Sequence, residues 1–164
     1  MEKDILEQLY RKYYKVALVY VTSICGDISL AEDLVSEAFI KAYISLPDDV
    51  LSFKYWLFKV CKNHWIDYIR KHKRIVDNES LQYLSTDITP EEIYIKNEKY
   101  KALWNALDSL SIQERELIIL YYFSNFSLHE AAEILGKSYA AVRKKMSRLR
   151  ETLKQRMEEQ GYDI

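Results

Sequence analysis

The amino-acid sequence predicts an all-α protein built as two small helical domains joined by a flexible linker. Three observations carry this expectation. Only three glycines and two prolines occur in 164 residues, so few positions are marked for turns. Apolar residues recur at three- and four-residue steps almost throughout, which is the period of an amphipathic helix and not of a strand. One polar and acidic stretch without that period, "IVDNESLQYLSTDIT" at residues 75–89, divides the chain. The hydrophobic content of 49% is enough to build a core on either side of it.

The first helix is expected over residues 4–24, with Leu6, Leu9, Tyr13, Ala17, Tyr20 and Ile24 on one face and Gly26 as its stop. A second helix is expected to begin at Ser29. There "SLAE" has the form of a capping box, in which the serine hydroxyl accepts from the backbone three residues on and Glu32 reaches back. It should bury Ala31, Leu34, Val35, Ala38, Ala42 and Leu46 and stop at Pro47. A third helix should run from Phe53 into the basic cluster "RKHKR", Arg70 to Arg74, closing a first domain at residues 1–74. The linker, 15 residues at up to roughly 3.3 Å each, could span about 50 Å. A second domain, 90–164, opens with Thr89 as cap and Pro90 at the first helical position, where the missing N–H costs nothing. That helix should last to Leu110. Ser111 with Glu114 and Ser127 with Glu130 then make two further capping boxes.

The end of the chain, "FSLHEAAEILGKSYAAVRKKMSRLRETL", carries the most specific local signal. A short helix, Leu128 to Leu135, is followed by Gly136, a cap at Ser138 and a longer helix. Ala131, Ala132 and Leu135 on the first can pack against Val142, Met146, Leu149 and Leu153 on the second, with small Ala132 allowing close approach. This is the pattern of a helix-turn-helix. Its second helix presents Arg143, Lys144, Lys145 and Arg148 away from the apolar stripe, with Ser138 and Tyr139 at its start. In such motifs the start of the second helix enters the major groove, where arginine or lysine donates to guanine. Tyr139, Arg143 and Lys144 are therefore expected at bases, and Ser138, Lys145, Arg148 and Arg150 at phosphates. A merely solvated basic face would explain the cations, but not their conjunction with the glycine, the cap and the small residue.

Charge is segregated along the chain. The net charge is −1, yet residues 137–156 hold eight basic side chains against the single acid Glu151, while residues 77–98 hold six acids against Lys96. Two basic patches separated by an acidic connector suit local contact with nucleic acid better than long-range attraction to it. In the third helix Lys59, Lys62, Asn63, Ile66, Arg70 and Lys73 share a face near Trp56 and Trp65. Cations interleaved with aromatics suit an unpaired strand, because cations follow the backbone while rings stack on bases. Tryptophans at helical spacing also serve as core, so this face alone decides little. On the second helix Asp33, Ser36, Glu37 and Ile40 form an acidic outer patch around an apolar centre, which a solvated surface or a docking site for a basic partner would both produce.

Other function classes are excluded or disfavoured. No glycine-rich phosphate loop, nucleophile elbow or His/Cys cluster with ligand spacing occurs, so neither an enzyme nor a cofactor is expected. Cys25 and Cys61 are read as buried free thiols. The charged start of the chain and the lack of a long apolar run imply no signal peptide and no membrane insertion, hence a cytoplasmic protein. Among the classes left open is a stand-alone regulator, in which the same helix-turn-helix is joined to a helical sensor or dimerisation domain.

The order of segments resembles the extracytoplasmic-function (ECF) group of bacterial RNA polymerase sigma factors over essentially the whole chain. "AEDLVSEAF" resembles the helix that docks on the clamp coiled coil of the polymerase's largest subunit, with Asp33 and Glu37 matching. "FKYWLFKVCKNHWIDYIRKHKR" resembles the segment that melts and reads the minus-ten element, with Trp56, Leu57, Asn63, Asp67 and Arg70 matching. "LSIQERELIILYYFSNFSLHEAAEILGKSYAAVRKKMSRLRETL" resembles the domain that reads the minus thirty-five element. The resemblance implies core docking by Asp33, Ser36, Glu37 and Ile40, and minus-ten contacts by Phe53, Trp56, Lys59, Lys62, Asn63 and Arg70 beside a loop at Pro47 to Lys54. It implies as partners core RNA polymerase (the clamp and the flap of the second-largest subunit), promoter DNA and an anti-sigma factor. Departures occur at Ser36, where glutamine is usual, at Tyr139, Ala141 and Lys144 in the recognition helix, and at Leu110-Ser111 in place of Leu-Pro.

Overall fold

The structure is a computed structural model that describes residues 3–45, 52–72, 102 and 105–162. Every element among them is helical, and the chain divides into two compact units, Met1–Asp87 and Ile88–Ile164. The expected linker at 75–89, the Thr89–Pro90 helix start, Leu46, Pro47 and most of the loop to Lys54, and the basic residues Lys73 and Arg74 lie outside the described residues.

In the first unit α1 (Lys3–Cys25), α2 (Ile28–Ile44) and α3 (Phe53–Lys71) pack on one another, each touching both others. On α1 the expected positions Leu9, Ala17, Tyr20 and Ile24 are buried, while Leu6 and Tyr13 are half-buried. From Ala17 to Gly26 every residue is buried, so this half of α1 is covered all round, as its unbroken apolar run Ala17 to Val21 requires. Tyr20 stacks on Phe58 of α3 with ring centroids 5.0 Å apart. Gly26 ends α1 at φ 73°, its N–H donating to the Thr22 carbonyl at 2.9 Å.

The start of α2 corrects the expectation of a capping box at Ser29. Gly26 turns the chain out of α1 in one residue, so α2 begins at once and its cap is Asp27. The Asp27 carboxylate accepts from the Ser29 and Leu30 amides at 2.9 and 3.2 Å, which satisfies two of the orphan donors of the first turn. Ser29 lies inside the helix. The buried face is Ala31, Leu34, Val35, Ala38, Phe39 and Ala42. Phe39 joins an aromatic chain of Tyr10, Tyr14, Phe53 and Trp56, with neighbouring centroids 4.7 to 6.4 Å apart.

In the second unit residues 105–108 are helical, and Ala102, Ala106, Leu107 and Leu110 are buried. Ser111 and Glu114 form the expected capping box at the start of α4 (Ile112–Ile118). α4 runs on into a five-residue π turn, Ile119–Phe123, closed by the Ser124 amide donating to the Ile119 carbonyl at 2.9 Å. Asn125 follows at φ 59°, a conformation asparagine tolerates, and Phe126 is buried. α5 (Leu128–Leu135) and α6 (Tyr139–Glu159) complete the unit, packed on each other. Two basic side chains bind its parts together. Arg115, only 7% exposed, donates from Nε and Nη2 to the carbonyls of Leu107 and Asp108, each at 3.3 Å. Near the end of α6, Arg156 donates to the Ala106 carbonyl at 3.3 Å and to the Ser109 hydroxyl.

Candidate nucleic-acid interface

The turn between α5 and α6 follows from three residues. Ser127 and Glu130 cap α5 reciprocally at 3.1 Å each, fixing its first turn. Gly136 adopts φ 67°, and behind it the Lys137 amide donates to the Ala132 carbonyl at 3.0 Å, the bond that closes a Schellman C-cap. Ser138 then accepts from the Ala141 amide at 3.1 Å and starts α6. α5 and α6 pack on each other and α6 also packs on α4, and Ala131 and Ala132 of α5 and Val142, Met146, Leu149 and Leu153 of α6 are all buried. One position differs from expectation: Ile134 is buried and Leu135 only half-buried. The apolar stripe of α5 follows the three-residue step from Ala131, because the helix ends at Leu135 and offers no further turn to pack.

Along α6 the residues between the buried stripe positions face outward. Ser138, Tyr139, Arg143, Lys144, Arg148 and Arg150 are exposed, and Lys145 is half-buried. Two of these side chains are held by groups that no sequence motif marks. The Tyr139 ring lies parallel to the His129 imidazole of α5, with centroids 3.7 Å apart and planes 6° from parallel. Arg150 donates to the Tyr121 hydroxyl at 3.2 Å and stands 5.4 Å from that ring's centre. The phenols of Tyr122 and Tyr121 hold the Arg150 guanidinium above its ordinary range, Tyr122 contributing most. Both tyrosines belong to the π turn, and Tyr122 is itself 47% exposed. No local pattern marks a π turn, so only assembly of the helices could bring Tyr121 to Arg150.

In the first unit, Asp33, Ser36, Glu37 and Ile40 are all exposed along the outer face of α2. The apolar part of this face extends further than expected, since Tyr43 and Ile44 are 65% and 78% exposed. Ile44 is four residues beyond Ile40, so the helical step could have found it. On α3, Lys59, Asn63 and Arg70 are exposed and Trp56, Lys62 and Trp65 half-buried. Lys59 lies 5.4 Å from the centre of the Tyr55 ring, and Arg70 lies 3.7 Å from Asp67 in an open pair of little energetic weight. Trp65, Tyr68 and His72 stack in succession, with centroids 5.8 and 4.1 Å apart.

Phe53 does not join the α3 surface and corrects the expected set. Its ring is fully buried between Tyr13, Phe39 and Trp56, because the first residue of α3 points into the bundle where α1 and α2 meet. The α2 and α3 surfaces are also adjacent: His64 Nδ1 lies 3.8 Å from a Glu37 carboxylate oxygen. Cys25 and Cys61 are buried free thiols, pushed up to about 12 by burial. Among the described residues no group of three or more His, Cys, Asp or Glu side chains could hold a metal ion, and no helix is long and apolar enough to cross a membrane.

Comparison with known proteins matches this chain to one family. The family described as Sigma-70 region 2 matches residues 9–75, and Sigma-70, region 4 matches residues 100–153. The chain is 32% identical over 155 residues to the ECF RNA polymerase sigma factor SigM of Bacillus subtilis (strain 168), covering 91% of this chain and 93% of that protein. It is 31% identical over 162 residues to the RNA polymerase sigma factor YlaC of the same organism, covering 94% and 93%. Among solved structures, the fold is similar to the sigma factor RpoE in its co-crystal with the anti-sigma factor NepR from Bartonella quintana. That match has a TM-score of 0.62 at 24% identity and covers 93% of this chain and 98% of that one. It is also similar to CnrH in complex with the cytosolic domain of CnrY, with a TM-score of 0.57 at 23% identity, covering 90% and 84%.

Proposed function

The chain belongs to the ECF group of RNA polymerase sigma factors, a non-enzymatic family that binds core polymerase and promoter DNA, and from this we propose how its surfaces divide that work. α6 enters the major groove of the minus thirty-five element, with Tyr139, Arg143 and Lys144 toward bases and Ser138, Lys145, Arg148 and Arg150 toward phosphates. The observation that carries this reading is the split of α6 into a buried stripe, Val142 to Met157, and an exposed basic face that begins directly at a capped N-terminus. α3 holds the melted minus-ten strand through Trp56, Lys59, Lys62, Asn63 and Arg70. Cations and half-exposed rings on one helix suit an unpaired strand.

On the same reading, Asp33, Ser36, Glu37 and Ile40 on α2 dock on the clamp coiled coil of the largest subunit, where an acidic patch with an apolar centre suits a basic helical partner. The second unit meets the flap of the second-largest subunit. The organisation 1–74, 75–89 and 90–164 assigns these tasks to two domains with a linker between them. An anti-sigma factor is a further partner, supported by one structural neighbour that was solved in such a complex. The protein works in the cytoplasm, where polymerase and promoters are.

Run-off transcription with reconstituted holoenzyme tests the whole. The protein with core polymerase should initiate at a specific promoter and alone should barely shift that DNA. Asp33→Arg with Glu37→Arg should abolish association with core. Arg143→Ala should keep association and lose dependence on the minus thirty-five element. Tight binding to a palindromic site without polymerase would overturn the reading in favour of a stand-alone regulator.

A further inference from the structure

Tyr139 is the first residue of α6, and this position poses a physical problem for a side chain meant to read a base. Side chains on a helix lean toward its N-terminus and rest on the preceding turn, but the first helical residue has no preceding turn to rest on. A tyrosine there would sample several rotamers and would have to be ordered when DNA arrives. The structure supplies the missing wall from another element. His129 stands in the first turn of α5, ten positions earlier, and its imidazole covers one face of the Tyr139 ring at 3.7 Å and 6°. His129 is exposed, so this contact is no part of the core that joins the two helices. Tyr139 nevertheless stays 38% exposed beside its partner.

Both rings stand on pinned backbone. The Ser127–Glu130 capping box fixes the turn that carries His129, and the Ser138 hydroxyl on the Ala141 amide fixes the turn that carries Tyr139. The Gly136 turn and the buried Ala131, Ala132, Val142 and Met146 hold those two turns in register. We infer that His129 is a positioning residue for recognition, an exposed platform in the first helix of the motif that sets the Tyr139 ring for its base contact. This deepens the reading of Tyr139 as a base contact and rests on it. Fixing a ring before binding removes an ordering cost from the complex, and the correct sequence gains most because only there does the fixed geometry fit.

The test uses the full chain reconstituted with core polymerase at the promoter that run-off mapping identifies. Relative transcription is measured on a set of templates carrying each single substitution in the minus thirty-five element. Tyr139→Ala should flatten discrimination at one or two positions. His129→Ala should flatten the same positions by about three- to tenfold, the size expected of a direct ring–ring attraction. His129→Phe, which keeps a ring in place, should restore discrimination, and His129→Ala in a Tyr139→Ala background should add nothing. Far-UV melts of each variant should show the helices retained.

The inference is overturned if His129→Ala leaves the profile intact while Tyr139→Ala flattens it, in which case base reading by Tyr139 stands without the platform. It is also overturned if His129→Ala weakens all templates equally and reduces the salt dependence, because His129 would then be a phosphate contact. If Tyr139→Ala leaves the profile intact, the base reading itself fails, and the platform with it.

Discussion

Replacing Gly136 by alanine separates two reasons for a glycine that are often confounded. Gly136 has φ 67°, in the left-handed region, and a Cβ added there would meet no atom within 4 Å. Crowding therefore contributes nothing, and the whole cost is conformational. For an L-residue other than glycine that cost is about 1–2 kcal/mol, partly offset because alanine has less freedom to lose from the unfolded chain. A net loss of about 1 kcal/mol corresponds to a fall in Tm of about 4–8 °C for a unit of this size. Gly136→Asn should cost roughly half as much, since asparagine visits this region readily, and Gly136→Val should cost more than alanine. The assay is thermal melting of the full chain by far-UV circular dichroism, following the transition that the substitutions move. Minus thirty-five dependence should persist in the alanine variant well below its Tm, because the Schellman bond from Lys137 and the cap at Ser138 do not involve the new methyl group. An alanine variant as stable as the parent would refute a left-handed turn at this position. A loss above about 3 kcal/mol would refute the open space around it.

Three further predictions concern groups away from the proposed contacts. Arg115→Ala should destabilise the second unit by about 2–4 kcal/mol in urea titration, because two carbonyls lose a charged donor and a buried side chain is removed. Arg115→Lys should recover little, since a single ammonium cannot reach both carbonyls as the guanidinium fork does. Cys25 and Cys61, pushed up to about 12 by burial, should react with alkylating reagents at pH 8 roughly a thousandfold more slowly in the folded chain than after denaturation. The same shift makes stability pH-dependent. Their folded pKa lies above the unfolded value of 9.0, so the contribution is complete below pH 9 and is lost as pH rises toward 12, by up to about 1.4 kcal/mol per pH unit and thiol. Tyr14, raised chiefly by burial, acts in the same direction. A chain with both cysteines changed to alanine should therefore lose less stability between pH 9 and 10 than the parent.

Much of the fold is legible in the sequence because helical period and caps are local. The capping boxes at Ser111 and Ser127, the cap at Ser138 and the stops at Gly26 and Gly136 all involve residues within five positions of one another. The start of α2 shows where such locality runs out. "DISLAE" offers two acceptors two residues apart, and only the abrupt turn at Gly26 determines that Asp27, not Ser29, precedes the first helical residue. Ile134 and Leu135 are ambiguous for a similar reason, because they stand at a helix end where periodicity has no further turn to decide between them. The exposed positions of α6 and of the outer face of α2 follow from alternation with buried neighbours, which a single helix specifies by itself.

The all-helical class, the division of the chain, the family, and the helix-turn-helix with its basic outer face were all contained in the order of residues. Each of these rests on interactions between near neighbours or on motifs whose succession suffices. Which side chains from different helices share a surface is a property of the packed molecule. Phe53 starts a helix yet belongs to the core, because α1 and α2 close over it. Tyr139 and Arg150 carry His129 and Tyr121 as partners because α5 and the π turn pack beside α6. Contacts between residues ten and twenty-nine positions apart depend on how helices are set against one another, and no periodicity along a single helix contains that information.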